Sequence, residues 1–328
     1  MIISQTPLRI SLAGGGTDFD GYSEPHGGLI ISTAIDKYVY VIVKERYDNL
    51  IYVSYMQKEI VRHVDEIQHE LVREAMKKTG VDGGVEISML ADIPSEGSGL
   101  GSSSSLTVGL LNVLYMYSGQ QVPAEQLARE ACEIEIDICR KPIGRQDQYI
   151  AAFGGICEIV LQGREVSVKH LPISEGEKRR LCSNLLLFYT NTTRKSATIL
   201  AEQRTRITST IDYLDMIKGL AAQTRDSILN RDYEQIGRCL DENWRLKKKL
   251  SSNVSNEEID VMYDIARAHG ALGGKIAGAG GGGFLLCYCP RHRQDELRDA
   301  MSQYREMPFL FEPDGSKIIF NYRRYSWK

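Results

Sequence analysis

Residues 97–106, GSGLGSSSSL, run directly into the apolar segment TVGLLNVLYMY, and this junction constrains the chain more than any other feature. A glycine-rich turn has no side chains to block an anion, and a helix start offers unpaired N–H groups at the positive end of the macrodipole. Phosphate suits that chemistry, and the serines add hydroxyls that can bond phosphate oxygens or ligate magnesium. PSEGSGLGSSSS (94–105) therefore reads as a nucleotide-phosphate cradle. No lysine follows the glycines, so it is not a Walker A loop. The competing reading is a flexible Gly/Ser linker with a serine N-cap. A strand before it and a buried helix after it count against a linker in mid-domain.

Two more glycine clusters flank this one. GAGGGG (278–283) satisfies G-x-G-x-x-G in form, yet FLLCYC behind it reads as a strand, where a dinucleotide fingerprint would open a helix. A glycine-rich hairpin or bulge that lets backbones pass closely is the alternative. LAGGGTDFDGY (12–22) follows the first strand and carries Thr17, Asp18 and Asp20, which also suits a plain turn with aspartate caps.

One helix can be read geometrically. In PAEQLAREACEIEIDIC, at about 100° per residue, Leu127, Ala128, Ala131, Ile138 and Cys139 share an arc. Glu135 falls inside that arc, whereas Glu130, Glu133 and Asp137 project oppositely, as a solvated acidic face. A carboxylate among apolar residues is unfavourable unless paired or bound to a cation, which makes Glu135 a magnesium-ligand candidate. Asp147, in PIGRQDQYIAAFGG, can accept a hydroxyl proton, as a small-molecule kinase requires; a helix N-terminal aspartate is the plainer reading.

Composition narrows the class. With 328 residues, the chain exceeds a typical single core, so two domains are expected. A formal net charge of −3 gives no basic field for nucleic acid, and no apolar run reaches the length of a membrane span. The N-terminal segment lacks a signal-peptide pattern, so the expected location is cytoplasmic. Seven cysteines without CxxC or zinc spacing read as reduced thiols, and six scattered histidines give no metal site.

Strands are expected at PLRISLA, LIISTAIDKYVYVIV, NLIYVSY, GVEISMLADI, GGICEIVL, REVSVKHLPI and NLLLFYTN. Helices are expected near DEIQHELVREAMKKTG, over 105–117 and 124–139, and over 196–250 as two helices broken near Asn230. A strand–glycine–strand unit, a helix after Pro290 and two strands around EPDGSK close an α+β layout.

In this order, PLRISLAGGGTDFDGY, IPSEGSGLGSSSSL and KIAGAGGGGFLLCY resemble the three motifs of the GHMP kinases, the superfamily of galactokinase, homoserine kinase, mevalonate kinase and phosphomevalonate kinase. The likeness spans roughly residues 5 to 325, and its most specific part is Pro94, Gly99, Leu100, Gly101, Ser102 and Ser103. The first motif looks like that of the bacterial sugar branch, which includes D-glycero-D-manno-heptose 7-phosphate kinase and, close by, L-fucose kinase. Galactokinase is disfavoured, because Gly15 and Gly16 stand where it carries Glu-His.

The resemblance implies a ribosomal S5 domain 2-like amino-terminal domain over 1–185 and a ferredoxin-like carboxy-terminal domain over 186–328, with ATP between them. It implies that Gly97, Ser98, Gly99, Leu100, Gly101, Ser102, Ser103 and Ser104 wrap the ATP phosphates. Ser103, or Ser102 in an alternative register, would hold magnesium with Glu135. Asp147 matches the catalytic aspartate and Arg9 a basic residue beside it, so the aspartate's work is mainly to orient the sugar hydroxyl. Gly15, Gly16, Thr17 and Asp18 match the substrate side, and Gly280 and Gly281 would close over it. The implied reaction transfers phosphate from ATP to the anomeric hydroxyl of the heptose 7-phosphate; L-fucose is the alternative acceptor and a non-enzymatic sugar and ATP sensor the third reading. Arg140, Lys141, Arg145, Arg194 and Lys195 are candidate cations for a phosphate on the sugar. No nucleic acid or membrane partner is expected, and a homodimer is compatible with the sequence.

Overall fold

The computed structural model describes residues 1–93, 97–192 and 196–322. Its first sheet is built on β1 (Ile2–Ala13) and β2 (Gly28–Glu45), which pair antiparallel along most of their length. β3 (Ile51–Ser54), β4 (Lys58–Val61) and β5 (Val85–Ala91) follow, then β6 (Ile156–Gln162) and β7 (Glu165–His170). The length of β2 lets it serve two partners: residues 28–33 pair with β6 and residues 39–45 with β5.

Five helices lie between the strands of this sheet in sequence, α1 (Asp20–His26), α2 (Glu70–Thr79), α3 (Ser102–Tyr117), α4 (Ala124–Cys132) and α5 (Gln146–Phe153), and α3 and α5 pack against β1 and β2. α3 is apolar nearly all round and almost wholly buried, as a central helix must be. It can lie close to β1 because Gly109 stands opposite Thr6 and Ser4; the Ser4 hydroxyl donates to the Gly109 carbonyl at 2.9 Å.

After α6 (Glu175–Cys182), β8 (Leu185–Tyr189) begins a second sheet, completed by β9 (Gly273–Ile276) and β10 (Phe284–Tyr288) in the order β8-β10-β9. α7 (Ser196–Thr205), α8 (Ile211–Leu229), α9 (Tyr233–Leu250) and α10 (Glu257–Ala268) lie between its strands in sequence, and α11 (Gln294–Ala300) follows β10. The glycine cluster 278–283 is the turn between antiparallel β9 and β10, so the dinucleotide reading fails and the hairpin reading holds.

Several expectations are revised. The 196–250 stretch forms three helices, because a short 3-10 turn at Ile207–Ser209 adds a break before the expected one near Asn230. Around EPDGSK there is one strand, β11 (Lys317–Asn321), and a single bridge from Phe311 to Ile35. The residues between dock by individual backbone bonds, including Gly155 N–H to Glu312 at 2.8 Å and Ser316 N–H to Ala151 at 2.9 Å. β11 pairs with β1, so the chain recrosses the expected 185/186 division and ends its described course on the first sheet.

The acidic helix also departs from regular periodicity. Residues Glu133–Ile138 form a π-helical turn, with Cys139 N–H donating to Ile134 at 2.8 Å. The wider turn shifts the later residues in phase, leaving Ile138 exposed while Ile134 and Ile136 are buried. Glu130 is buried too, accepting a 2.7 Å bond from the Tyr115 hydroxyl, so the expected solvated face is partly interior.

Gly154, at φ +69, receives the returning segment, and a Cβ there would lie 2.1 Å from the Asp314 carbonyl carbon. Gly154→Ala combines backbone strain with this collision and is expected to lower stability by about 2 kcal/mol or more, read from the urea midpoint.

Candidate active site

At the start of α3, the backbone turns through Gly97, Gly99 and Gly101. Gly101 is left-handed at φ +80, and a Cβ there would stand 3.2 Å from Arg9 Cγ and 3.4 Å from Asp147 Oδ2. Only glycine turns the chain here without pressing on those side chains. The turn leaves the first N–H groups of α3, at Ser102, Ser103 and Ser104, without acceptors within the helix. The hydroxyls of Ser98 and Ser102 lie 3.2 Å apart at the base of this cradle.

Arg9, buried on β1, joins the cradle to α5. Its Nε donates to Asp147 Oδ1 at 2.7 Å and its Nη2 to Oδ2 at 2.6 Å, a two-pronged charge-assisted contact. Its Nη1 donates to the Gly99 carbonyl at 2.7 Å, and its backbone N–H to Leu100 at 3.0 Å. Asp18 reaches the same place from the turn after β1. Its carboxylate accepts the N–H groups of Gly16 at 3.1 Å and Gln146 at 3.2 Å. Burial, and then the charge of Asp147, hold its pKa above the ordinary 3.8. A Cβ on Gly144 would fall 2.0 Å from Asp18 Oδ2, so this carboxylate occupies space that the glycine leaves.

The π turn delivers Glu135 to the other side of the cradle, fully buried. Ser103 Oγ donates to Glu135 Oε1 at 2.6 Å, and Gln148 Nε2 to Oε2 at 2.8 Å. Lys141 Nζ stands 3.0 Å from Ser103 Oγ and 3.5 Å from Glu135 Oε1. A cation therefore already faces this hydroxyl–carboxylate pair, and both donors are hard oxygens of the kind magnesium takes. Ser102, the alternative in register, points back to Ser98 instead.

Between the two sheets lies a cleft. Arg9, Ser11, Gly15, Gly16, Asp18, Gln146 and Asp147 form one wall; Asn243, Lys247, Lys275 and Gly278 form the other. Ser11 Oγ, Gln146 Oε1 and Asn243 Oδ1 are buried without a hydrogen-bond partner among the described residues, so three unsatisfied polar atoms converge on one cavity. Lys247 Nζ donates to the Gly278 carbonyl, and burial followed by Arg9's charge pushes its pKa down to about 7. Lys275 is also buried; burial, then Lys247 and Arg9, push its pKa well below the ordinary range.

Not every expected residue lines this cleft. Thr17 is buried and donates its hydroxyl to Gly14 at 2.8 Å, bracing the turn. Gly281 spends its N–H on the Val254 carbonyl at 2.7 Å, and Gly280 packs against Val254. Of the proposed cations, Arg145 is held by Asp20 at 2.8 Å and 3.1 Å, Arg140 is exposed, and Lys141 faces Ser103 and Glu135. Arg194 and Lys195 lie outside the described residues. Lys247, Lys275, Asn243, Ser11, Gln146, Gln148 and Gly144 went unnoticed in the sequence. For Lys247 a signal existed: at helical spacing, Ile236, Leu240, Asn243, Lys247 and Leu250 share the buried face of α9, although RLKKKL reads as a basic helix end.

Residues 65–155 match the model of the GHMP kinases N-terminal domain, and residues 224–306 match that of the GHMP kinases C-terminal domain. The D-glycero-alpha-D-manno-heptose 7-phosphate kinase of Campylobacter jejuni is 30% identical, across 96% of this chain and 98% of its own length. This chain is a GHMP kinase. A crystal structure of a D-glycero-D-manno-heptose 1-phosphate kinase from Bacteroides thetaiotaomicron superposes with a TM-score of 0.82 at 27% identity, covering 99% of this chain and all of that one. The L-fucokinase/L-fucose-1-P guanylyltransferase of Bacteroides fragilis is 26% identical over 87% of this chain but only 34% of that longer protein. Galactokinase from Lactococcus lactis, at 19% identity and a TM-score of 0.77, shares the fold. As a GHMP kinase, the chain is a phosphotransferase that uses ATP, in an α+β fold. Among the described residues, no helix is long and apolar enough to cross a membrane.

The lowered pKa of Lys247 sets a pH dependence. Between about pH 7 and its ordinary 10.5, the unfolded chain binds a proton that the folded chain does not, so this residue's contribution to stability rises with pH across that window. Lys247→Met removes the dependence. Its melting temperature relative to the parent chain is expected to be highest at pH 7 and below, with the difference falling as pH approaches 10.

Proposed function

We propose that this GHMP kinase transfers the γ-phosphoryl group of ATP to the anomeric hydroxyl of D-glycero-D-manno-heptose 7-phosphate. The observation that carries this reading is the end-to-end likeness to the heptose 7-phosphate kinase of C. jejuni, joined by the likeness in fold to the heptose 1-phosphate kinase structure from B. thetaiotaomicron. The cleft chemistry supports a polyhydroxylated, negatively charged acceptor: unsatisfied acceptors at Ser11, Gln146 and Asn243 suit hydroxyl groups, and two buried lysines suit an anion.

In this reading the first turn of α3 binds the ATP phosphates through Ser102 to Ser104. Asp147, fixed by Arg9, orients the acceptor hydroxyl and takes its proton as the oxygen–phosphorus bond forms. Asp18 accepts a further hydroxyl of the sugar. Ser103 and Glu135 would hold magnesium, which when bound would supply charge neutralisation on the phosphates. Gln148 fixes the Glu135 carboxylate for that task. Because the transition state is loose, positioning and electrostatics carry most of the catalysis.

The test is ADP release from ATP and magnesium with the heptose 7-phosphate, beside free heptose, L-fucose and D-mannose. Turnover confined to the heptose phosphate, falling about a hundredfold or more in Asp147→Asn, is the expected result. Turnover with L-fucose alone would discard the substrate and keep the chemistry; binding without turnover across the panel would favour a sensor. Gln148→Leu is expected to raise the magnesium concentration for half-maximal rate about tenfold, as loss of a ligand-orienting partner does.

A further inference from the structure

Lys247 and Lys275 come from different elements, α9 and β9, and meet on one wall of the cleft. Both are buried, and among the described residues neither has a carboxylate within ion-pair distance. Among the described residues, the only bonds from Lys247 Nζ go to the neutral carbonyls of Gly278 and Ile276, the latter at 3.5 Å. Arg9 adds a third positive group across the cleft, but Asp147 already answers its charge. Asp18 and Asp147 act on Lys247 only at a distance. Two buried amines without a counter-charge resist protonation unless a ligand supplies the missing negative charge. One turn before Lys247 on α9, the orphaned Asn243 Oδ1 marks the same wall as incomplete without a ligand.

We propose that Lys247 and Lys275 form a phosphate-binding subsite on the carboxy-terminal wall of the cleft, whose occupant supplies the negative charge these two residues lack. The inference rests on the kinase reading above. The dianion has two sources in that reaction, the phosphate that the acceptor already carries and the γ-phosphoryl group in transit, and both present the same chemistry to the two lysines.

The experiment compares the parent protein with Lys247→Met and Lys275→Met in two arms. In the first, melting temperature is measured at neutral pH with and without inorganic phosphate. The variants are expected to melt at or above the parent without phosphate, and to gain much less when it is added. Variants that melt well below the parent, or that gain as much from phosphate as it does, overturn the proposal. This arm uses no sugar, so it stands even if the heptose phosphate proves not to be the acceptor. In the second arm, steady-state kinetics with the phosphorylated acceptor separate the sources. A rise of about tenfold or more in the acceptor's KM, with that of ATP unchanged, assigns the subsite to the acceptor's phosphate. A fall of similar size in kcat with both KM values unchanged assigns it to the group in transit. Rates and KM values within about twofold of the parent overturn the proposal.

Discussion

The guanidinium of Arg9 is the fixed point of the molecule's chemistry. One side chain on the first strand grips Asp147 with two nitrogens and the Gly99 carbonyl with a third, while its own backbone N–H holds Leu100. Sheet, glycine-rich turn and the start of α5 are thereby tied at one buried position. Lysine could offer charge there, but not three donors in a rigid planar fork. The distance between the Gly97–Gly101 turn and the Asp147 carboxylate is thus set by covalent geometry more than by loop packing, which is the kind of preorganisation the proposed phosphoryl transfer depends on.

Around that point the protein tolerates unfavourable burial. Asp18 lies in a space left by Gly144, Glu135 is wholly enclosed, and Lys247 and Lys275 face the cleft with no ion-pair partner among the described residues. Each is satisfied only in part by its own chain. Asp18 has two backbone donors, Glu135 has a serine, a glutamine and a nearby lysine, and Lys247 has carbonyls. Stability lost at such positions is what an enzyme gives up to keep charge aimed at a ligand.

What the sequence disclosed follows from how local each signal is. The cradle was legible because glycines, serines and an apolar helix are adjacent along the chain, and Glu135 because a carboxylate on an apolar arc stands out even when a π turn shifts its phase. Asp147 and Arg9, 138 residues apart, needed the family resemblance to be paired. Gln148 and Asn243 escaped notice because an amide carries no pattern until its partner, or its lack of one, is known in space. Lys247 was hidden by its lysine neighbours, although the periodicity of α9 puts it on the buried side. The strand β11 was expected beside EPDGSK, but its return to the first sheet was not, because nothing in KIIFN names β1 as the partner.

That return has a consequence for the order of events during synthesis. Ile2 pairs with Asn321, and Gln5 with Lys317, so one edge of the first strand made is covered by the last strand described. On a ribosome adding roughly 5–20 residues per second, β1 would wait many seconds with that edge open. Exposed edges invite pairing with other chains, and contacts this distant in sequence close slowly. The strand that carries Arg9 is therefore also the one whose final partner arrives last, so its early pairing with β2 must hold the arginine's register until translation reaches the other end.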